Sequence, residues 1–192
     1  MTVTIRPATR DDSPEIARLF LISSDGLATY IWSKMQTPGL SLEEVGARRY
    51  AREGVAFSYE NCLIAAEGDA VLGMLHAFPM ERAADAQPET DPVLRPYSEL
   101  EDYGSLYISG VALYPGHRGK GIGTRLLDAA ASRARRLGLP RLSLICFEEN
   151  RRAMALYHRY GFVEIDRRPL VPHPTLKYRE GDAVLLTCTI SG

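Results

Sequence analysis

Apolar residues recur along the chain with two different periods, and the switches between them predict the elements. Val3 to Ile5 alternates as a short strand. Ser13 followed by Pro14 then reads as the N-cap and first-turn proline of a helix through Leu21. Ser41-Leu-Glu-Glu44 has the spacing of a capping box, so a second helix is expected from there to Arg52, stopping near Gly54. Cys62 to Ala66 and Ala70 to Phe78, joined across Glu67-Gly68-Asp69, read as a β-hairpin. Leu106 to Leu113 is a further strand, followed by a glycine-rich turn and a helix from about Ile122 to Leu137. Gly138 is its expected C-cap, with Pro140 just beyond. Arg141 to Phe147 is a strand, Arg151 to Tyr160 a helix, and Phe162 to Arg167 and Ala183 to Ile190 are closing strands. The resulting order β-α-α-β-β-β-α-β-α-β-β predicts an α/β fold with a mixed sheet, parallel at least where a helix separates two strands.

No repeat, low-complexity tract or long linker interrupts this series, so residues 1–192 are read as one domain. Pro79 to Tyr103 departs from the pattern. It has little periodicity, and Glu81, Asp85, Glu89, Asp91, Glu99, Glu101 and Asp102 face only Arg82 and Arg95. A loop this long is either a solvated connection or a lid that shapes a site.

Overall charge narrows the partners. With 23 basic and 24 acidic side chains the net charge is -1, so there is no electrostatic claim on nucleic acid or an anionic membrane. The start of the chain lacks the basic and apolar pattern of a secretory signal, and no apolar run approaches the roughly 18 residues of a membrane span. Cys62, Cys146 and Cys188 are odd in number and far apart, which fits a reducing, cytoplasmic setting better than a disulfide framework. His76, His117, His158 and His173 have no ligand spacing, so no metal site is expected. Cys146 reads as a buried strand thiol, and Arg133, Arg135 and Arg136 as a solvated basic face or a contact for a terminal phosphate.

The chemistry is concentrated in Tyr114-Pro-Gly-His-Arg-Gly-Lys-Gly-Ile-Gly-Thr124, set between a strand and a helix, where exposed amides and the helix dipole form an anion site. Glycines at 119, 121 and 123 let the main chain approach a pyrophosphate. Two familiar phosphate loops fail on spacing. A dinucleotide fingerprint counted from Gly119 needs glycine where Thr124 stands, and a Walker loop counted from Gly116 needs lysine where Ile122 stands.

The remaining pattern, Arg118-x-x-Gly121-x-Gly123, resembles the acetyl-CoA loop of the GCN5-related N-acetyltransferase (GNAT) family. Asn150-Arg-Arg-Ala-Met-Ala-Leu-Tyr157-His-Arg-Tyr-Gly161-Phe162 is similar to the same family's second signature. The likeness is specific over about residues 105 to 166. It implies a mixed, mostly antiparallel central sheet with splayed central strands flanked by helices. It also implies an enzyme that moves the acetyl group of acetyl-CoA, as co-substrate, to a primary amine.

By position, the resemblance assigns the pyrophosphate to Arg118, Gly119, Lys120, Gly121, Ile122, Gly123 and Thr124. It assigns main-chain contacts with the pantetheine arm to Val111 and Leu113, a polar contact to Asn150, and the proton for the departing thiolate to Tyr157. Asn150, Ala153, Met154 and Tyr157 share one helical face at i, i+3, i+4 and i+7. The Val111 N–H is the expected oxyanion donor. Where several relatives carry a glutamate base, this chain has Tyr107, so Glu99, Glu101, Asp102, Glu43, Glu44 or a water chain are the remaining bases. Acceptor choice falls to Leu27–Leu40, the acidic loop and Pro169–Gly181, and the acidity points to a small cationic amine or a peptide terminus. A longer acyl group or a non-catalytic acyl-CoA-binding module are the competing readings. Dimers are common among such proteins, so a homodimer is also compatible with the C-terminal strands.

Overall fold

The computed structural model describes residues 2–35, 38–82 and 87–190. Among the described residues seven strands form one mixed sheet, and the chain divides into two compact units.

The first unit comprises Met1–Ala77 and Gly110–Ala129. Its strands β1 (Thr4–Pro7), β2 (Cys62–Glu67) and β3 (Ala70–Pro79, as far as Ala77) pair antiparallel. β2 and β3 form the expected hairpin, with Gly68 supplying the left-handed turn residue at φ +59°. Three helices pack on this unit: α1 (Ser13–Ser23), α2 (Leu27–Lys34) and α3 (Leu42–Tyr50). Their inward stripes join Ile64 and Met74 in a core around Ile16, Leu19, Phe20, Trp32 and Tyr50. Phe20 lies 5.9 Å from the Trp32 ring and 5.6 Å from that of Tyr50.

Two starts differ from the sequence reading. The N-cap of α1 is Asp12, because a 3-10 turn over Arg10–Asp12 runs directly into the helix; Ser13 lies inside it, its hydroxyl donating to Arg10 O at 2.7 Å. The helix α2, within the stretch read as variable, opens on two residues of positive φ, Asp25 (+47°) and Gly26 (+99°). At α3 the capping box forms as expected. The Ser41 hydroxyl accepts from Glu44 N (3.3 Å), and the Glu44 carboxylate accepts from Ser41 N (2.7 Å).

The second unit comprises Phe78–Ser109 and Ala130–Gly192. β5 (Arg141–Phe147) and β6 (Val163–Pro169) both pair antiparallel with β7 (Asp182–Thr189), so the last strand inserts between its two predecessors. A bulge between Glu164 and Asp166 interrupts the β6 register. Leu100, Phe147, Leu170, Ala183 and Leu185 form the core here.

The strand β4 (Leu106–Leu113) and the helix α5 (Ile122–Arg136) each contribute a half to both units. β4 pairs parallel with β5, as expected of strands joined by a helix. Among the described residues that ladder consists of three pairs, Leu106↔Leu142 to Ile108↔Leu144, while β4 runs on to Leu113 and β5 to Phe147.

The described residues of the acidic segment include regular structure. It contains a one-turn helix, α4 (Arg95–Ser98), and three of its acids have side-chain partners. Asp102 takes Arg141 in a two-pronged ion pair (2.7 and 2.5 Å), Glu99 takes Arg168 (3.0 Å), and Glu101 accepts from the Tyr103 hydroxyl. Asp85 lies outside the described residues.

Candidate active site

The glycine loop is best built from its root in the first unit. Tyr114 leaves β4 with its N–H donating to Leu72 O (2.9 Å), and its carbonyl accepts from His117 N (2.9 Å), closing a 3-10 turn over Pro115–His117. Arg118 then folds back, its Nε donating to Leu113 O at 2.9 Å. The motif arginine therefore ties the loop to the strand, in addition to any charge it offers a ligand. Gly119 and Gly121 follow with φ of +76° and +77°, a conformation that L side chains adopt only under strain. No atom lies within 4 Å of the place a Cβ would occupy at Gly116, Gly119 or Gly121. The main chain is thus open to a bulky anion.

Ile122 is buried and starts α5; the first bond of the helix is Arg125 N to Gly121 O at 3.2 Å. The amides of Ile122, Gly123 and Thr124 precede any i−4 carbonyl of the 15-residue helix, so they point out of its positive end. Lys120 and Thr124 are exposed, and Arg118 is half-buried. These residues fit a pyrophosphate: donors without internal helical partners, left-handed glycines and cationic side chains in one short stretch.

Along β4 burial alternates. Leu106, Ile108, Gly110 and Ala112 are buried, whereas Tyr107, Ser109, Val111 and Leu113 are only partly buried on the other face. Gly110 lets α1 approach closely, since a Cβ there would meet Ser23 Oγ at 2.7 Å and the Phe20 ring at 3.2 Å.

In the second unit, Asn150 caps helix α6 (Arg151–Tyr160), its Oδ1 accepting from Ala153 N at 3.2 Å. Ala153, Met154 and Tyr157 form the less exposed stripe of that helix, as their spacing predicted, and Tyr157 is buried with its ring 5.6 Å from that of Phe162. The Tyr157 carbonyl accepts from both Gly161 N (3.1 Å) and Phe162 N (3.0 Å), with Gly161 in the left-handed conformation at φ +113°. This C-cap fixes where the last turn, and with it the tyrosine, stands.

The Tyr107 ring lies 5.6 Å from that of Phe78, and burial pushes its phenol well above the ordinary tyrosine range, with Glu101 adding to the shift. It is a neutral hydroxyl at working pH and no substitute for a carboxylate base. The carboxylates expected as alternatives are engaged too. Beyond the three already described, Glu43 pairs with Arg18 (3.0 Å) and Glu44 completes the α3 capping box.

The loop from Leu170 to Gly181 borders an open depression lined by Glu149, Leu176, Tyr178 and Gly181; the Tyr178 ring packs 5.5 Å from Phe147. Among the described residues no cluster of metal-ligating side chains occurs, and no helix is long and apolar enough to cross a membrane.

Sequence reasoning missed one contact at the loop root. The Tyr114 hydroxyl donates to Glu15 of α1 at 2.5 Å, across 99 residues of chain, a separation at which no local signal exists.

The chain is similar to several known proteins. Mycothiol acetyltransferase of Beutenbergia cavernae is 40% identical over 62 residues, 32% of this chain and 20% of the relative. The uncharacterised N-acetyltransferase YycN of Bacillus subtilis is 40% identical over 60 residues, 31% of this chain and 38% of that one. The matches thus span about a fifth and under two fifths of these curated relatives. Among solved structures, yncA of Salmonella typhimurium, which holds acetyl-CoA, aligns with a TM-score of 0.64 at 20% identity over 100% of this chain and 96% of its own. An N-acetyltransferase from Staphylococcus aureus aligns with a TM-score of 0.62 at 20% identity over 96% and 99%. These two share the fold. The model of the acetyltransferase (GNAT) family matches residues 28–162, well over half of the sequence, and the chain belongs to that family.

Proposed function

We propose that the protein transfers the acetyl group of acetyl-CoA to a primary amine. The observation that carries this reading is the loop from Arg118 to Thr124, where two left-handed glycines open the main chain onto the positive end of a 15-residue helix. The loop amides and the Lys120 side chain hold the pyrophosphate. The main chain of Val111 and Leu113 meets the two amides of the pantetheine arm by strand addition. Support comes from the short β4–β5 ladder, which leaves β4 beyond Ile108 off that pairing. Asn150 serves first as a helix cap, and its amide group is the further polar contact on that face.

The chemical step joins the acceptor nitrogen to the acetyl carbon and breaks the carbon–sulfur bond. The Val111 N–H stabilises the oxygen that gains charge, a contribution of about 3–4 kcal/mol for one such donor. The Tyr157 hydroxyl gives its proton to the leaving sulfur; phenols are protonated at neutral pH, and the phenolate left behind, a stronger base than a thiolate, takes a proton back from water. The amine's own proton leaves through solvent, since Tyr107 holds the place of a strand carboxylate and is neutral.

The acceptor is kept at the level of a primary amine. Of the acids that suggested a cationic acceptor, Asp102 and Glu99 are balanced by Arg141 and Arg168.

Three measurements test the reading. Calorimetric titration with acetyl-CoA is expected to show saturable binding, and the absence of heat overturns the proposal at its base. Tyr157→Phe is expected to reduce kcat by roughly tenfold to ten-thousandfold with little change in acetyl-CoA affinity. Turnover at the wild-type rate removes Tyr157 from the acid role, and a mass increase of the amine by one acetyl group separates transfer from mere binding.

A further inference from the structure

We infer that Tyr114 is a positioning residue for the acetyl-CoA loop and that it acts through Glu15. The inference rests on the reading that residues 118–124 hold the pyrophosphate. Tyr114 is the last residue before the loop turns, and it is gripped at three points. Its N–H is on Leu72 O (2.9 Å), its carbonyl receives His117 N (2.9 Å), and its hydroxyl is on Glu15 Oε2 (2.5 Å). The first fixes the strand end and the second the 3-10 turn. The third fixes the direction in which the side chain, and hence the turn, leaves the strand.

Glu15 is itself held. Arg18, one turn along α1, donates to its other oxygen at 2.5 Å and reaches Glu43 of α3 at 3.0 Å. The carboxylate therefore sits between a guanidinium and a phenol, each on a separate oxygen. Burial first, and the bond to Glu15 second, push the Tyr114 phenol up to about 12, so it remains a donor throughout the working pH range. The ring packs against the core cluster of α1, α2 and α3, which explains an aromatic residue here; the hydroxyl has a different task, because packing alone would be served by phenylalanine.

A brace of this kind changes how often the loop presents its amides correctly and leaves the chemical step untouched. Removing it raises KM and leaves kcat alone.

The test compares Tyr114→Phe, Glu15→Gln and Glu15→Ala with the wild type, reading acetyl-CoA dissociation by calorimetry, KM, kcat and thermal midpoint. Tyr114→Phe is expected to raise Kd and KM for acetyl-CoA about threefold to thirtyfold, with kcat within about twofold. Glu15→Ala is expected to do the same. Glu15→Gln keeps an oxygen for the phenol and returns most of the affinity, a rescue that loss of charge or packing does not give. The double variant Tyr114→Phe with Glu15→Ala loses no more than the worse single, because both remove one bond.

Wild-type affinity in Tyr114→Phe, or additive losses in the double variant, overturns the brace while the cofactor reading stands. A wild-type protein that binds no acetyl-CoA overturns both. If Tyr114→Phe does not fold, the Gln-against-Ala contrast at Glu15, a half-exposed site, decides: equal affinities refute the brace.

Discussion

Replacing Gly121 by alanine separates the conformation of the loop from its surroundings. Its φ is +77°, and nothing lies within 4 Å of the position of a Cβ, so the added methyl meets no atom and acts only through the backbone. Holding an L residue there costs roughly 1–2 kcal/mol. That energy can surface in two places. If the loop keeps its shape, the strain appears as lost stability and acetyl-CoA affinity is unchanged. If the loop relaxes, stability is retained, and binding must restore the strained form, weakening affinity by about fivefold to thirtyfold. The sum of the two losses, from denaturation and from calorimetry on one preparation, is expected at roughly 1–2 kcal/mol. Gly116→Ala is the internal control: it has equally open space and no positive φ, so both readings stay at wild type. Gly121→Ala with unchanged stability and unchanged affinity refutes the left-handed geometry on which the pyrophosphate assignment stands.

Gly46→Ala tests packing in the first unit. Helix propensity favours alanine by about 1 kcal/mol, but its Cβ would lie 2.3 Å and 2.4 Å from the Trp32 ring and 2.9 Å from Ala17 Cβ, so overpacking of roughly 1–3 kcal/mol or more prevails. The variant is expected to unfold earlier, followed through Trp32, the only tryptophan; a raised midpoint contradicts the close approach. Asp12 tests acid stability. Two hydrogen bonds from Arg6 (2.7 and 2.8 Å), aided by Thr9, hold its carboxyl down to about 2. The folded value lies below the unfolded one near 3.9, so its stabilisation is present above that pH and disappears as pH falls from about 4 to about 2. Asp12→Asn is expected to cost roughly 1–3 kcal/mol at neutral pH and to flatten that acid limb; an unchanged limb places acid sensitivity elsewhere.

The features legible in the sequence are those whose cause is local. Two glycines at φ near +77° and the Asn150 cap express constraints within a few residues, so the order of amino acids alone announces the loop and α6. Among the described residues all seven strands and four of the six α-helices showed the same transparency through their periodicity and caps. The helix α2 escaped because its start is a pair of left-handed residues, not a hydroxyl or carboxylate cap, and α4 because one turn has no period. The place of β7 between β5 and β6 is a non-local pairing that no window of residues encodes.

The same distinction divides the two halves of the proposed reaction. A carboxylate is available as a base only when no arginine or hydroxyl has claimed it, and the claimants lie far away in sequence: 39 residues from Asp102 to Arg141, 69 from Glu99 to Arg168, 99 from Glu15 to Tyr114. Two acids of the 79–103 segment, Asp102 and Glu99, are thus balanced by arginines that lie outside it. The proposed cofactor half of the site, built from backbone geometry, is written in the sequence; the proposed acceptor half depends on which distant side chains meet once the chain has closed.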